Sequence, residues 1–302
     1  MTASALCLDA FTLYSIQMQN FMSNTSYHSQ ALYLKSACDC FKYILQLRNY
    51  KRIYMPFYIC GELIHIVTQL NIEYIYYHID FNFEPLEFPK LERTDAFYYI
   101  NYWGLKQQYI EKLALFYKTQ LIVDNAQAFF AQPLEVDTFY SARKFYGVND
   151  GAYLYLYPNK HSVQSIQMQQ KSLVELNIQL GSNETSDILS NINYQNTIDR
   201  RRENYLRFNK SLQGTNKLQL HLEENATPMI YPYLLPHNSN LLIDRLKRNN
   251  IIIEQFWPEV LYLCKSNEIE YLLASNMIPL FIGQSCPSNH IDQVIQIITE
   301  TI

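Results

Sequence analysis

Leu121-Ile122-Val123-Asp124-Asn125-Ala126-Gln127-Ala128-Phe129-Phe130 opens as a run of apolar, mostly branched residues and stops at an acid. A short apolar run bounded by polar residues reads as a strand buried on both faces, as in parallel sheets. Ligands of such sheets bind beyond the carboxyl ends of the strands, so this reading sets Asp124 at the mouth of a sheet. Taken alone, an aspartate after a buried strand serves equally well as a helix cap or turn residue.

Working outward, the same alternation of short apolar runs and helical patterns extends over about residues 31–157. Ala31 to Leu34, Ile53 to Met55, Glu73 to Tyr77, Ala96 to Ile100, Asp137 to Tyr140 and Ala152 to Tyr157 read as strands. Ser36 to Leu47, Gly61 to Leu70 and Gln108 to Tyr117 read as helices between them. This rhythm predicts an α/β fold: a mostly parallel sheet in a three-layer α/β/α large domain over 1–160. Beyond Pro158 the texture turns polar, then a charged helix is expected around Asp199 to Leu212. Met229 to Leu235 and Ile251 to Glu254 follow as strands, with Leu241 to Arg248 and His290 to Ile298 as helices. Residues 161–302 are therefore expected to form a linker helix and a smaller C-terminal α+β domain.

The bulk numbers narrow the function. A formal charge of −4 gives no basic surface for nucleic acid. The cysteines Cys7, Cys38, Cys40, Cys60, Cys264 and Cys286 include no C-x-x-C pair, so no metal is expected and the thiols are read as buried and reduced. The first thirty residues lack a basic start followed by an apolar block, and no stretch is long enough to span a bilayer, so no membrane partner and a cytoplasmic protein are expected. With only 7 glycines in 302 residues, each one is expected where backbone geometry demands it.

A second segment, Asp137-Thr138-Phe139-Tyr140-Ser141-Ala142-Arg143-Lys144-Phe145-Tyr146-Gly147-Val148-Asn149-Asp150-Gly151-Ala152, holds a lysine among aromatics and glycines between two strands. Such an amine, if partly desolvated, is suited to attack a carbonyl and form a Schiff base. The plainer alternative is a loop lysine paired with Asp150.

Together the two segments resemble the DegT/DnrJ/EryC1/StrS family of sugar aminotransferases that depend on pyridoxal 5'-phosphate (PLP). In that family an acid ending a strand, followed by Ala-His or Ala-Gln, precedes a serine, a lysine and a glycine pair; Asp124, Gln127, Ser141, Lys144 and Gly151 stand in that order. The resemblance implies PLP fold type I and two catalytic residues, Lys144 carrying the cofactor and Asp124 at its ring nitrogen. It also implies that Gln127 lies against the ring and Ser141 binds phosphate. Tyr33-Leu34-Lys35-Ser36-Ala37-Cys38 resembles the phosphate-binding turn, making Ser36, Ala37 and Cys38 a phosphate cup, with Ser36 equally readable as a plain helix cap. Met55-Pro56-Phe57-Tyr58 resembles the loop whose aromatic residue stacks on the ring, with Tyr58 the candidate and Phe57 the reserve. Core packing is the more ordinary role for either. Asn101, Tyr102 and Arg143 are the implied substrate contacts, Arg143 and Arg200 the candidates for a carboxylate, and Asn193 and Tyr194 the contacts across a homodimer.

The implied activity is amino transfer, from glutamate, to a nucleotide-linked keto-sugar in surface polysaccharide or amino-sugar biosynthesis. Sugar dehydration with the same cofactor is a second reading, although proteins of that kind often replace the lysine. A degenerate, non-catalytic binding protein is the third. The chain departs from the family at Lys35-Ser36-Ala37, where glycine is usual, at Ala152, which replaces a second glycine, and in a shortened segment after Tyr157.

Overall fold

The computed structural model describes residues 27–157, 173, 175–236 and 238–302. The run that opens the argument is strand β5 (Leu121–Asn125), buried along its whole length. It lies in a seven-stranded sheet with β1 (Leu32–Leu34), β2 (Arg52–Pro56), β3 (Glu73–Tyr77), β4 (Asp95–Ile100), β6 (Asp137–Ser141) and β7 (Ala152–Tyr155), in the order β1-β7-β6-β5-β4-β2-β3. The pairs β2–β3, β2–β4, β4–β5 and β5–β6 are parallel, whereas β7 runs antiparallel to both its neighbours. A mostly parallel sheet with flanking helices is therefore what the strand–helix alternation encodes.

The sheet needs helices because its central strands β4, β5 and β6 are buried along their whole length. Helix α1 (Ala37–Arg48) buries Cys40, Phe41, Tyr43, Ile44 and Leu45. Removing such a side chain from water contributes roughly 1.5–3 kcal/mol. Ser36 starts the helix by accepting the Asp39 N–H at 3.1 Å, and Asn49 ends it in the left-handed region at φ 54°. Helix α2 (Gly61–Gln69) connects β2 to β3 and α3 (Gln107–Tyr117) connects β4 to β5.

The register of β7 decides where the chemistry sits. Leu34 of β1 and Ser141 of β6 both face Ala152, one from each side. Two strand spacings put their backbones about 10 Å apart. Since β1 and β6 both run against β7, the start of α1 and the turn after β6 emerge at the same sheet edge, beside the carboxyl end of β5.

Past the sheet come α4 (Asn183–Ser190), α5 (Tyr194–Leu212), β8 (Ile230–Tyr233), α6 (Asn240–Arg248), α7 (Ile269–Asn276), β9 (Ile278–Phe281) and α8 (Ser288–Thr299). β8 and β9 form a separate antiparallel pair. Around it Phe208, Leu246, Ile291 and Ile298 build a second apolar cluster. Val260, Leu273 and Met277 instead join the core under the large sheet. The boundary expected near 160 lies outside the described residues.

The strand expected at Ile251 to Glu254 is not formed. Its alternation is real, with Ile251 and Ile253 buried and Ile252 exposed, but the side chains dock without a ladder partner, and β8 pairs with β9 instead. The charged helix expected from Asp199 begins earlier, at Tyr194, where Asn193 accepts the Asn196 N–H. Asn193 and Tyr194, expected across a dimer, are both engaged within the chain, the Tyr194 hydroxyl donating to Leu189 O.

Candidate active site

Asp124 is buried and held by both oxygens: Oδ2 accepts the Tyr98 hydroxyl at 2.5 Å, and Oδ1 accepts the Ala126 N–H at 2.7 Å. Burial raises its pKa above the ordinary carboxylate value, while these two donors and the Lys144 ammonium pull it back. A carboxylate so placed is more basic than one in water and keeps lone pairs for a further donor.

Lys144 ends a 3-10 turn, Ala142–Lys144, that follows β6 directly. Phe145 and Tyr146 turn inward and are buried, but Lys144 is exposed, so the shielding expected from its aromatic neighbours is not found. The alternative pairing with Asp150 is not made either. Asp150 accepts the backbone N–H and the hydroxyl of Ser182, both at 2.9 Å, which anchors the start of α4. Lys144 has no hydrogen bond or ion pair among the described residues, yet its charge is felt at Asp124 and at Cys60.

Gly151 explains how the turn fits. Its φ of 99° suits glycine, and a Cβ there would stand 3.0 Å from Thr185 Cγ2. Its N–H donates to Lys35 O and its carbonyl accepts the Ala142 N–H, so one residue joins the turn before α1 to the turn bearing Lys144.

The cup at the start of α1 is narrower than expected. Ser36 spends its hydroxyl on Asp39, accepting the N–H and donating to Oδ2 at 2.6 Å, so the helix-cap reading of Ser36 holds. The N–H groups of Ala37 and Cys38, by contrast, have no acceptor among the described residues, as befits the first two amides of a helix. The Ser141 hydroxyl is likewise without a hydrogen-bond partner there. Gln127 uses Oε1 to accept the Trp103 N–H at 3.3 Å and keeps its Nε2 free of described acceptors.

Three expected contacts are walled in. Tyr58 is fully buried, with its ring edge-on to Trp257 and beside Tyr102, leaving no open face for a stacked ligand. Phe57 stacks on Tyr76 and His78 instead. Asn101 accepts the Lys106 N–H, and Tyr102 donates to Tyr58 O; both are buried to the last per cent, so neither offers a surface to substrate. Arg143 is exposed and unpartnered among the described residues, and Arg200 pairs with Glu203.

Sequence reasoning passed over Tyr98 and gave Cys60 no place at this edge; Cys38 it placed in the phosphate cup. Burial and the charges of Glu62, Cys60, Asp124 and Asp39 push Cys38 up to about 11. Cys60 is raised mainly by burial. Both are thiols rather than thiolates, and Cys38, Cys40, Cys60, Cys264 and Cys286 are all unbridged. Among the described residues no cluster of His, Cys, Asp or Glu could hold a metal ion, and no helix is long and apolar enough to cross a membrane.

An α/β sheet with a free lysine, a buried acid and a helix amino end gathered at its carboxyl edge defines a class of ligand-binding fold. No family profile and no curated protein matches the sequence. Solved structures do match. Spr1654 from Streptococcus pneumoniae, in its PMP-form, has a TM-score of 0.70 at 12% identity, over 93% of this chain and 89% of that one. PseC from Helicobacter pylori, an aminotransferase involved in the biosynthesis of pseudoaminic acid, has 0.67 at 13%, over 96% and 90%. A DegT DnrJ EryC1 StrS aminotransferase from Brucella abortus has 0.66 at 13%, over 90% and 86%. The fold is thus the one the sequence resemblance implied, PLP fold type I.

Proposed function

We propose that this chain binds pyridoxal phosphate at Lys144 and is an aminotransferase acting on a nucleotide-linked keto-sugar, with glutamate as the amino donor. The observation that carries the reading is geometric: Asp124 stands at the carboxyl end of β5 and Lys144 in the turn after its parallel neighbour β6, so both groups lie at one sheet edge.

The residues present fit the cofactor. The unpaired amides of Ala37 and Cys38 and the Ser141 hydroxyl supply donors for a phosphate at a helix amino end. The raised, desolvated Asp124 is suited to keep a proton on a pyridine nitrogen. Pyridoxal phosphate supplies an electron sink for the pair released when the donor's Cα proton leaves. Around that chemistry the chain does the rest. Lys144 would hold the cofactor through Nζ, and its amine would serve as the base that moves the donor's Cα proton. Gln127, whose Nε2 has no acceptor among the described residues, would lie against the ring, and Arg143 remains available for an anionic group of the substrate.

A homodimer suits this reading, because the walled-in positions 58, 101 and 102 leave the substrate side to be completed by other residues. The presence of Lys144 favours amino transfer over the dehydration that a lysine-free relative would perform. Incubating the PLP-loaded protein with L-glutamate and chromatographing the released cofactor tests the reading. Conversion to pyridoxamine phosphate is expected, and its absence with every amino acid tried overturns it. A panel of nucleotide keto-sugars, scored for return of the pyridoxal form, then identifies the acceptor.

A further inference from the structure

Asp124 does not stand alone on its strand. Ile100 of β4 is its register partner, and Tyr98 lies one residue pair back on the same face. Diagonal neighbours on adjacent strands lie about 7–8 Å apart, a span that an aromatic side chain reaches. The Tyr98 hydroxyl closes that gap, donating to Asp124 Oδ2 at 2.5 Å in a fully buried bond.

Tyr98 is itself clamped. Its ring meets the edge of Phe41 at 5.0 Å and lies 6.4 Å from Phe139, and its carbonyl accepts the Tyr77 hydroxyl at 2.8 Å. Phe41 belongs to α1, whose amino end carries the free amides of Ala37 and Cys38. One aromatic side chain therefore bridges the acid and the helix of the phosphate cup. With Ala126 N–H fixing the other oxygen, the carboxylate has no freedom to rotate.

We propose that Tyr98 is a positioning residue for Asp124: its buried hydroxyl fixes the plane of the carboxylate and limits its basicity toward the cofactor's ring nitrogen. This rests on the proposed cofactor binding for its consequence, though not for the contact itself. A donor on a carboxylate favours the charged form, so removing it makes the acid take up a proton more readily. The other titratable groups acting on this pair are Lys144 from the turn after β6, Cys38 and Cys40 from α1, Cys60 at the start of α2, and Tyr102 after β4. The test leaves all of them in place.

The experiment uses the full chain with 13Cγ-labelled aspartate. In the cofactor-free protein the Asp124 carboxyl resonance, assigned by its loss in Asp124→Asn, is titrated in the parent and in Tyr98→Phe. The midpoint moves to higher pH in Tyr98→Phe, and it moves down when Tyr98 is replaced by 3,5-difluorotyrosine, a stronger donor. Affinity for pyridoxal phosphate, read by fluorescence, falls about tenfold in Tyr98→Phe, because a carboxylate released from its fixed plane loses its alignment with the ring nitrogen, which outweighs its gain in basicity. An unchanged midpoint in either variant overturns the proposal; if Tyr98→Phe does not fold, the difluorotyrosine protein decides. Failure of the parent to bind pyridoxal phosphate, with the midpoints still moving, would instead strike at the proposed function and leave the Tyr98–Asp124 coupling standing.

Discussion

Truncating Arg201 to alanine severs the tie between the turn that bears Lys144, helix α5 and the C-terminal segment. The side chain is 2% exposed and no carboxylate faces it among the described residues. Nε donates to Gln284 Oε1 at 2.9 Å, one terminal nitrogen donates to Met229 O at 2.9 Å and Pro228 O at 3.3 Å, and the guanidinium lies 4.5 Å over the Phe145 ring. Burial pulls its pKa down to about 10, which leaves it charged at neutral pH. Losing the donor strands the two carbonyls at about 1–3 kcal/mol each. The ring contact adds about 0.5–2 kcal/mol. Against this stands the cost of keeping a cation out of water, which the variant no longer bears. A net loss of about 3 kcal/mol is expected, a large part of the roughly 5–15 kcal/mol that holds a protein folded. Urea unfolding reads this as a lower midpoint at unchanged slope, with Arg201→Lys intermediate because ammonium keeps the charge but not the planar stack. An alanine variant with the parent's midpoint would refute the reasoning.

Asp124 has a raised folded pKa, so its ionised form destabilises the fold: stability present at low pH is lost as pH rises through that raised value. Asp124→Asn should therefore unfold at higher temperature than the cofactor-free parent at neutral pH, with the difference vanishing in acid; a variant less stable at neutral pH contradicts the sign. Gly151→Ala places a Cβ at φ 99° and 3.0 Å from Thr185, and should lower stability by about 1–3 kcal/mol in thermal unfolding. Cys38, pushed up to about 11, should react slowly with iodoacetamide at neutral pH and about tenfold faster per pH unit, followed by mass spectrometry; fast labelling at pH 7 would show a thiolate the site does not support.

The sheet was legible because a buried parallel strand carries its own signature: apolar side chains toward both faces, ended by a polar residue at the carboxyl edge, as at Asp124. The edge-clustering of Asp124 and the Lys144 turn was what the family resemblance implied; the residues alone left Lys144 also readable as a loop lysine. What escaped reading depends on packing between distant segments. Nothing local distinguishes Tyr58 or Tyr102, which are core, from an aromatic that lines a site, in a chain with 26 tyrosines. Ile251 to Glu254 shows the pattern of a strand, but a strand also needs a neighbour with free backbone groups. The Tyr98–Asp124 bond was recoverable only once β4 and β5 were known to be paired in register, and Arg201 only once α5, Phe145 and Gln284 were brought together.

Sodium borohydride reduction in the presence of pyridoxal phosphate, followed by peptide mapping, bears most directly on the assignment of Lys144. A single stable adduct on the peptide carrying Lys144, absent in Lys144→Ala and diminished in Asp124→Ala, is the expected result. Label scattered over exposed lysines, or an unchanged yield in Lys144→Ala, would contradict it.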